Sequence, residues 1–263
     1  MTTATVPRIS CIICTYRNPD LLRDALQSLA EQDLPRQDYE VIVVDNNSRD
    51  ATESVTREFM TEPDSNVSYV LEPRQGLAYA RNTGLEHARA DIIAFTDDDA
   101  VATPGWLSAL LAVYDANPDA WAAGGPVEGL WKVERPDWLT DDMLLNLSLR
   151  TWGDERRPLV WPERLIGVNS SFRRIAFDEI GQFTGGLGRK GRLLLGHEDT
   201  EIQERIHAIG RQVIYSPAAL VYHVVPPERV TRQYFARRFY GAGRSLLLVE
   251  LGQKDRAAIR TSA

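Results

Sequence analysis

Short apolar runs alternate with helical stretches through the first hundred residues, and this alternation limits the possible folds more than any other feature of the chain. Residues 9–14, 39–44, 67–71 and 92–95 have the length and aliphatic content of buried strands. Between them, Pro19 opens a helix carrying Leu21, Leu22, Ala25, Leu26 and Leu29. Thr52, Val55, Phe59 and Met60 mark a second helix, and residues 76–88, dense in alanine and glycine, form a third that can pack closely on a sheet. Three strand–helix–strand units in succession predict an α/β fold with a doubly wound, mostly parallel central sheet and helices on both faces.

A ligand of such a sheet lies beyond the carboxyl ends of its strands. Here those ends deliver Thr15-Tyr16-Arg17-Asn18, Asp45-Asn46-Asn47-Ser48 and Asp97-Asp98-Asp99 to one rim. Three adjacent carboxylates repel one another unless a cation sits among them, and carboxylates are ligands that Mg2+ and Mn2+ prefer. Taken alone, the triplet could equally be an acidic turn before a helix at Thr103-Pro104. The convergence of three strand ends favours a site. Neither Gly-x-Gly-x-x-Gly nor Gly-x-x-x-x-Gly-Lys-Ser/Thr follows the first strand, which argues against dinucleotide and P-loop enzymes.

A formal net charge of -7 and a pI near 5.2 argue against nucleic acid as a partner. No apolar run approaches the length needed to span a bilayer, and residues 1–7 lack a charged-then-apolar leader, so a cytoplasmic location is expected. The only cysteines, Cys11 and Cys14, have redox spacing. Positions three apart on a strand face opposite ways, however, and both are read as structural.

Beyond residue 100 the pattern predicts a helix over 103–115 and a strand over 121–127. An irregular segment with Trp131, Trp138, Trp152 and Trp161 follows, either a stacking platform for a sugar ring or the small core of an insertion. After residues 167–174 and a short helix stopped by Gly181, the loop 185–196 is rich in glycine, arginine and lysine, which suits a lid over an anionic ligand. Glu198 and Asp199 open a helix ended by Gly210. Acids in a first turn suit the helix dipole, and here a general base could also reach a bound acceptor. Strands are expected over 213–215 and 220–223, the latter ending at His223. Arg229, Arg232, Arg237, Arg238 and Arg244 then interleave with aromatic residues on a helix to about 250, suited to an anionic membrane surface, with a frayed tail after Gly252. The expected division is a Rossmann-like half over 1–126, a second half of the same domain over 127–228, and the basic helix and tail over 229–263.

In order and spacing these motifs resemble the inverting, metal-dependent glycosyltransferases of the GT-A fold, family 2 type, from residue 9 to about 243. The resemblance is carried by Thr15-Tyr16-Arg17-Asn18, by Val43-Val44-Asp45-Asn46-Asn47-Ser48, and by Gly76-Leu77-Ala78-Tyr79-Ala80-Arg81-Asn82. Thr96-Asp97-Asp98-Asp99 with Pro104-Gly105-Trp106-Leu107, Gly167 with Asn169, Glu198-Asp199 and His223 complete it. It implies that Thr15, Tyr16, Arg17 and Asp45 hold the nucleoside and that Arg81 assists the base or phosphate. Asp97 and Asp99 match the family's Asp-x-Asp: Asp97 would lie near the ribose or sugar, and Asp99 with His223 would bind Mn2+ or Mg2+. Asp98 would face the donor sugar. Asp199 would be the general base with Glu198 beside it, and Asn169 and Trp161 would line the acceptor side. The implied partners are a nucleoside-diphosphate sugar, UDP first among the bases, and a glycan or lipid-linked acceptor in cell-surface polysaccharide or glycoconjugate biosynthesis. Peripheral contact with the inner face of the cell membrane is a further expectation. A sugar-1-phosphate nucleotidyltransferase would instead carry a glycine-rich loop after the first strand, and a non-catalytic binding scaffold would have lost the base or metal acids.

Overall fold

A computed structural model of the chain describes residues 6–191 and 193–261, with side chains described as far as residue 251. Strands β1 (Ile9–Thr15), β2 (Tyr39–Asp45), β3 (Val67–Leu71) and β4 (Ile92–Asp97) alternate with helices α1 (Pro19–Ala30), α2 (Thr52–Met60) and α3 (Leu77–His87), as the periodicity predicts. The parallel register sets Thr15 beside Asp45 and Cys14 beside Asp97, so three strands end level and their polar ends form one rim. Along β1, Ile9, Cys11 and Ile13 enter one core and Ile12 and Cys14 the other, the period-2 signature of a sheet buried on both faces. Both cysteines are free and buried, and burial pushes both thiols up, which makes them inert.

After β4 the chain crosses a short strand, β5 (Ala100–Ala102), into α4 (Trp106–Ala116). The single strand expected over 121–127 is two: β6 (Ala120–Gly124) and β7 (Val127–Trp131) lie in different sheets, with the turn at Gly125-Pro126. Gly125 packs so closely on the carbonyls of Ser216 and Ala219 that no side chain fits there. A two-residue strand β8 (Arg157–Pro158) precedes β9 (Ser170–Arg173), which the sequence pattern did not predict. This strand inserts antiparallel between β4 and β6, and the central sheet is therefore mixed, in the order β3-β2-β1-β4-β9-β6-β10-β8 with β10 (Gln212–Tyr215). A second sheet of β5, β11 (Val221–Val225) and β7 stands beyond the rim.

Helices α5 (Arg174–Ile180) and α6 (Glu198–Ala208) flank the loop 185–196. Phe183 packs edge-on against Phe95 at 5.2 Å, Asn82 exchanges hydrogen bonds of 3.0 Å with the Phe183 backbone, and the Leu77 N–H donates to the Arg189 carbonyl at 3.0 Å. Arg229 does not open the last helix. Pro226 and Pro227 hold a 3-10 turn over Pro227–Arg229, and α7 (Arg232–Thr261) follows, helical past the expected end near 250 instead of fraying after Gly252. Its exposed apolar residues include consecutive Leu246, Leu247 and Leu248, so they surround the helix and do not form one stripe. Trp131 and Trp138 pack onto the core, Trp138 edge-on to Phe235 on α7, which is the insertion-core arrangement. Among the described residues no helix is long and apolar enough to cross a membrane.

Candidate functional site

Two adjoining pockets open at the carboxyl rim. The larger, about 390 Å3, is lined by Thr15, Tyr16, Arg17, Asp97, Asp98 and Asp99 from the strand ends and by His223 and Arg229 from the second sheet and the turn after it. Asp98 spends both carboxylate oxygens on the chain itself. Thr15 Oγ1 donates to it at 2.6 Å, Asn18 Nδ2 at 2.9 Å and the Tyr16 N–H at 3.3 Å, which fastens the β1–α1 loop to the acidic turn. Burial and the charge of Asp99 push Asp98 up to about 7 against those hydrogen bonds.

Asp99 faces the opposite way. His223 Nε2 lies 3.2 Å from its Oδ1, and Arg229 Nη2 donates to its Oδ2 at 2.6 Å. Burial works against ionisation here, but His223 and Arg229 hold the carboxyl well below the usual carboxylate range. Arg229 Nη1 is also 3.3 Å from His223 Nε2, so one carboxylate and one imidazole already face a cation, the guanidinium. The carboxylate suits Mn2+ or Mg2+, the imidazole is a softer ligand that favours the transition metal of the two, and a separation of 3.2 Å matches neighbouring ligands on one ion. Among the described residues no three His, Cys, Asp or Glu side chains converge to hold a metal by themselves. An ion here would need oxygens from a diphosphate or water, as Mg2+ sites commonly do.

Asp45 and Arg81 lie elsewhere than the resemblance implies. Asp45 is buried at the end of β2 and accepts from the Ser48 N–H and the Tyr69 hydroxyl, both at 2.9 Å, outside the lining of the pocket. Arg81, 3% exposed, does not line the larger pocket either. It runs under the rim from Asp97 Oδ1 at 3.7 Å to Glu198 Oε1 at 2.9 Å. A helix packed hard on the sheet puts it there: Gly84, one turn on, leaves no room for a Cβ against Ile12.

The smaller pocket, about 140 Å3, adjoins the first along Leu77, Asp97 and Arg189, which line both. Its floor is the start of α6. Asp199, half-buried, accepts from the Gly167 N–H at 2.8 Å and the Thr200 N–H at 2.9 Å, and these donors fix the orientation of its carboxylate. Glu198, 4% exposed, gives one oxygen to Arg81 and leaves Oε2 buried without a partner. Burial and the charge of Asp199 push it up to about 7, against Arg81. Both acids line the pocket, and Asp199 is the more exposed of the two. Asn169 and Trp161 are not brought to this side. Asn169 is fully buried and spends its amide on the Trp106 indole N–H and the carbonyls of Pro126 and Ala219, while Trp161 packs edge-on to His207, away from the pocket lining. Arg229, expected on the basic helix, sits instead in the turn before it. The paired prolines before it were the signal that no helix had yet begun.

The family model of glycosyl transferase family 2 matches residues 10–181. A glucosyl-dolichyl phosphate glucuronosyltransferase of Haloferax volcanii is 29% identical over 253 residues, 93% of this chain and 78% of the relative. The succinoglycan biosynthesis protein ExoM of Rhizobium meliloti is 30% identical over 236 residues, 89% of this chain and 72% of that protein. Among solved structures, the mannosyltransferase PcManGT from Pyrobaculum calidifontis, in complex with GDP-Man and Mn2+, superposes with a TM-score of 0.62 at 28% identity over 85% of this chain. This chain spans 58% of that structure.

Proposed function

The chain belongs to glycosyl transferase family 2, and on that premise we propose that it moves a sugar from a nucleoside-diphosphate sugar to a hydroxyl of a glycan or lipid-linked acceptor, with a divalent metal and with inversion. The observation that carries this reading is the pairing of two pockets on one rim. The first holds Asp99 and His223 against a cation, and the second holds Asp199 half-open on two backbone donors.

Tyr16 and Arg17, on the loop fastened by Asp98, face the nucleoside, and Arg229 and Arg189 meet the diphosphate. Asp99 and His223 would hold Mn2+ or Mg2+, which would supply Lewis-acid neutralisation of the departing diphosphate. Asp199 takes the proton of the acceptor hydroxyl as its oxygen attacks the anomeric carbon. The bond from that carbon to the diphosphate oxygen breaks, and the electron pair leaves with the nucleoside diphosphate. A single displacement inverts the anomeric centre, and the base contributes roughly 10^2 to 10^4 in rate. Glu198, locked to Arg81, positions its neighbour. Relatives named for a glucosyl-dolichyl phosphate glucuronosyltransferase and for succinoglycan biosynthesis support a place in polysaccharide or glycoconjugate assembly. Residues 1–126 supply the strand-end side of the donor pocket, to which Arg189, His223 and Arg229 are added from beyond it, 127–228 carry the base and the acceptor side, and the last helix is a seat for membrane contact.

Calorimetry with UDP, GDP, dTDP and CDP, each with and without Mn2+, tests the reading. One nucleotide should bind tightly, with UDP first in the panel, and only with the metal; Asp99→Ala should abolish the metal-dependent part. Binding of no nucleotide under any condition would refute it.

A further inference from the structure

Arg229 and a metal ion make the same claim on the rim. A guanidinium donates and cannot accept, so the contact of Arg229 Nη1 with His223 Nε2 at 3.3 Å is a hydrogen bond only through the nitrogen lone pair, the pair that an ion takes. At Asp99, Nη2 donates to Oδ2 at 2.6 Å. All the polar contacts of the His223 ring are at Nε2, because its Nδ1 is buried without a partner. The carboxylate and the imidazole therefore already answer to one cation, and a second brought in beside it is repelled.

The other charges of the pocket sharpen this conflict. Asp97 faces Arg81, and Asp98 is tied to the β1–α1 loop. That leaves Asp99 with Arg229, and Arg189, which forms no ion pair among the described residues, lies on the same wall within electrostatic reach of Asp99. A divalent ion arriving alone adds charge of the sign already in excess. The diphosphate of a donor brings the opposite sign.

Arg229 is also built to change partners. The Arg229 N–H donates to the Pro226 carbonyl at 3.0 Å, which fixes the backbone of the 3-10 turn. Its guanidinium, by contrast, has no hydrogen-bond partner besides Asp99 and His223 among the described residues, and its side chain is 19% exposed. A planar fork that fits one carboxylate fits a phosphate equally well.

We propose that Arg229 is a competing counter-ion that couples metal and nucleotide binding: its guanidinium holds Asp99 and His223 against an ion arriving alone, and is drawn onto the diphosphate when ion and donor arrive together. This rests on the reading of the pocket as the seat of metal and diphosphate. Metal and nucleotide then strengthen each other's binding by the same factor, and the ion comes and goes with the nucleotide.

Mn2+ titration of the full chain, with the free ion read by electron paramagnetic resonance, tests it on wild type, Arg229→Met, Arg229→Gln and Arg229→Lys. Each is titrated alone and with UDP, GDP, dTDP and CDP. Without nucleotide, the two neutral variants should bind Mn2+ at least tenfold more tightly than wild type, and Arg229→Lys, which keeps the charge, should not. The factor by which nucleotide strengthens Mn2+ binding should be large in wild type and at least tenfold smaller in the neutral variants. Adding Asp99→Ala to Arg229→Met should abolish the tighter binding. Unchanged or weaker Mn2+ binding in the folded neutral variants overturns the competition and leaves Arg229 a structural partner of Asp99. Arg229→Lys matching Arg229→Met overturns it too, because the charge then plays no part. Thermal melts show which variants are folded, and either neutral variant suffices. The wild-type factor needs no variant, and a value near one overturns the coupling. No Mn2+ binding in any sample, nucleotide included, refutes the metal reading itself, whereas nucleotide-dependent binding that Arg229 substitutions leave alone refutes this inference only.

Discussion

Arg81→Met removes a guanidinium that is 3% exposed and sits 2.9 Å from Glu198 and 3.7 Å from Asp97. Breaking one side of a buried ion pair costs about 3–5 kcal/mol, because the other charge is left in a medium that solvates it poorly. The size of the loss should depend on pH. Glu198 has its folded pKa raised from 4.5 to about 7, so its contribution to stability is fully present below pH 4.5 and is lost as pH rises through 7. A shift of that size corresponds to about 3 kcal/mol. Without Arg81 the folded pKa rises further. Near pH 5 the Glu198 carboxyl is then neutral and the variant loses one hydrogen bond, about 1–2 kcal/mol, together with the 3.7 Å contact to Asp97, whereas near pH 8 it bears the cost of the unpaired Glu198 in addition. Urea unfolding at pH 5, 6, 7 and 8 without divalent metal measures this. The difference between wild type and variant should widen toward high pH, and Glu198→Gln should flatten the wild-type profile by about 3 kcal/mol across the same window. Equal destabilisation by Arg81→Met at pH 5 and pH 8 would show that Glu198 does not titrate against Arg81, and the ion-pair account would fall with it.

Asp199→Asn should lower kcat by roughly 10^2 to 10^4 and leave nucleotide affinity unchanged, since the donor pocket is intact; turnover assays paired with calorimetry check both. Asp98→Asn should weaken a free nucleoside diphosphate and its sugar conjugate by the same factor, because Asp98 acts through Thr15, Tyr16 and Asn18. Weaker binding of the sugar conjugate alone would place the carboxylate on the sugar. Gly84→Ala puts a Cβ 2.5 Å from Ile12 Cγ2 and 3.2 Å from Val44 Cγ2, an overpacked core that should cost about 1–3 kcal/mol in chemical unfolding.

What the sequence made legible was local. Strands β1 to β4 and helices α1 to α3 fall within one or two residues of the periodic pattern, because each buries an apolar face set by its own side chains. Strand β9 was hidden because its residues are Ser170-Ser171-Phe172-Arg173, and a buried strand earns that polarity only through partners far away in sequence. The Ser171 hydroxyl donates to the Ala123 carbonyl at 2.7 Å and lies 2.9 Å from the Tyr114 hydroxyl, while Arg173 donates to the carbonyls of Ala120 and Tyr114. Asn169 misled in the same way. A polar residue in a motif reads as a ligand contact until the structure shows its amide consumed by Trp106, Pro126 and Ala219. The strand-end acids were legible as a group, but their separate tasks were not. Neighbouring side chains at 97, 98 and 99 face an arginine under the rim, a loop, and an imidazole with a guanidinium, and composition carries no sign of that division.

The bridge from Asp97 through Arg81 to Glu198 also sets how the two pockets can work together. Donor and acceptor chemistry must meet within bond-forming distance, and a misplacement of about 1 Å can cost 10^2-fold in rate. The loop 185–196 spans the same gap, but it is fastened by backbone hydrogen bonds such as Leu77 to Arg189 and lies across the opening. Arg81 lies beneath it, buried, on a helix locked to the sheet by Gly84, and it ties the end of β4 to the first residue of α6. With Gly167 and Thr200 orienting Asp199, the position of the base relative to the strand-end acids is fixed from the core side. The base is therefore placed by contacts that do not pass through the loop.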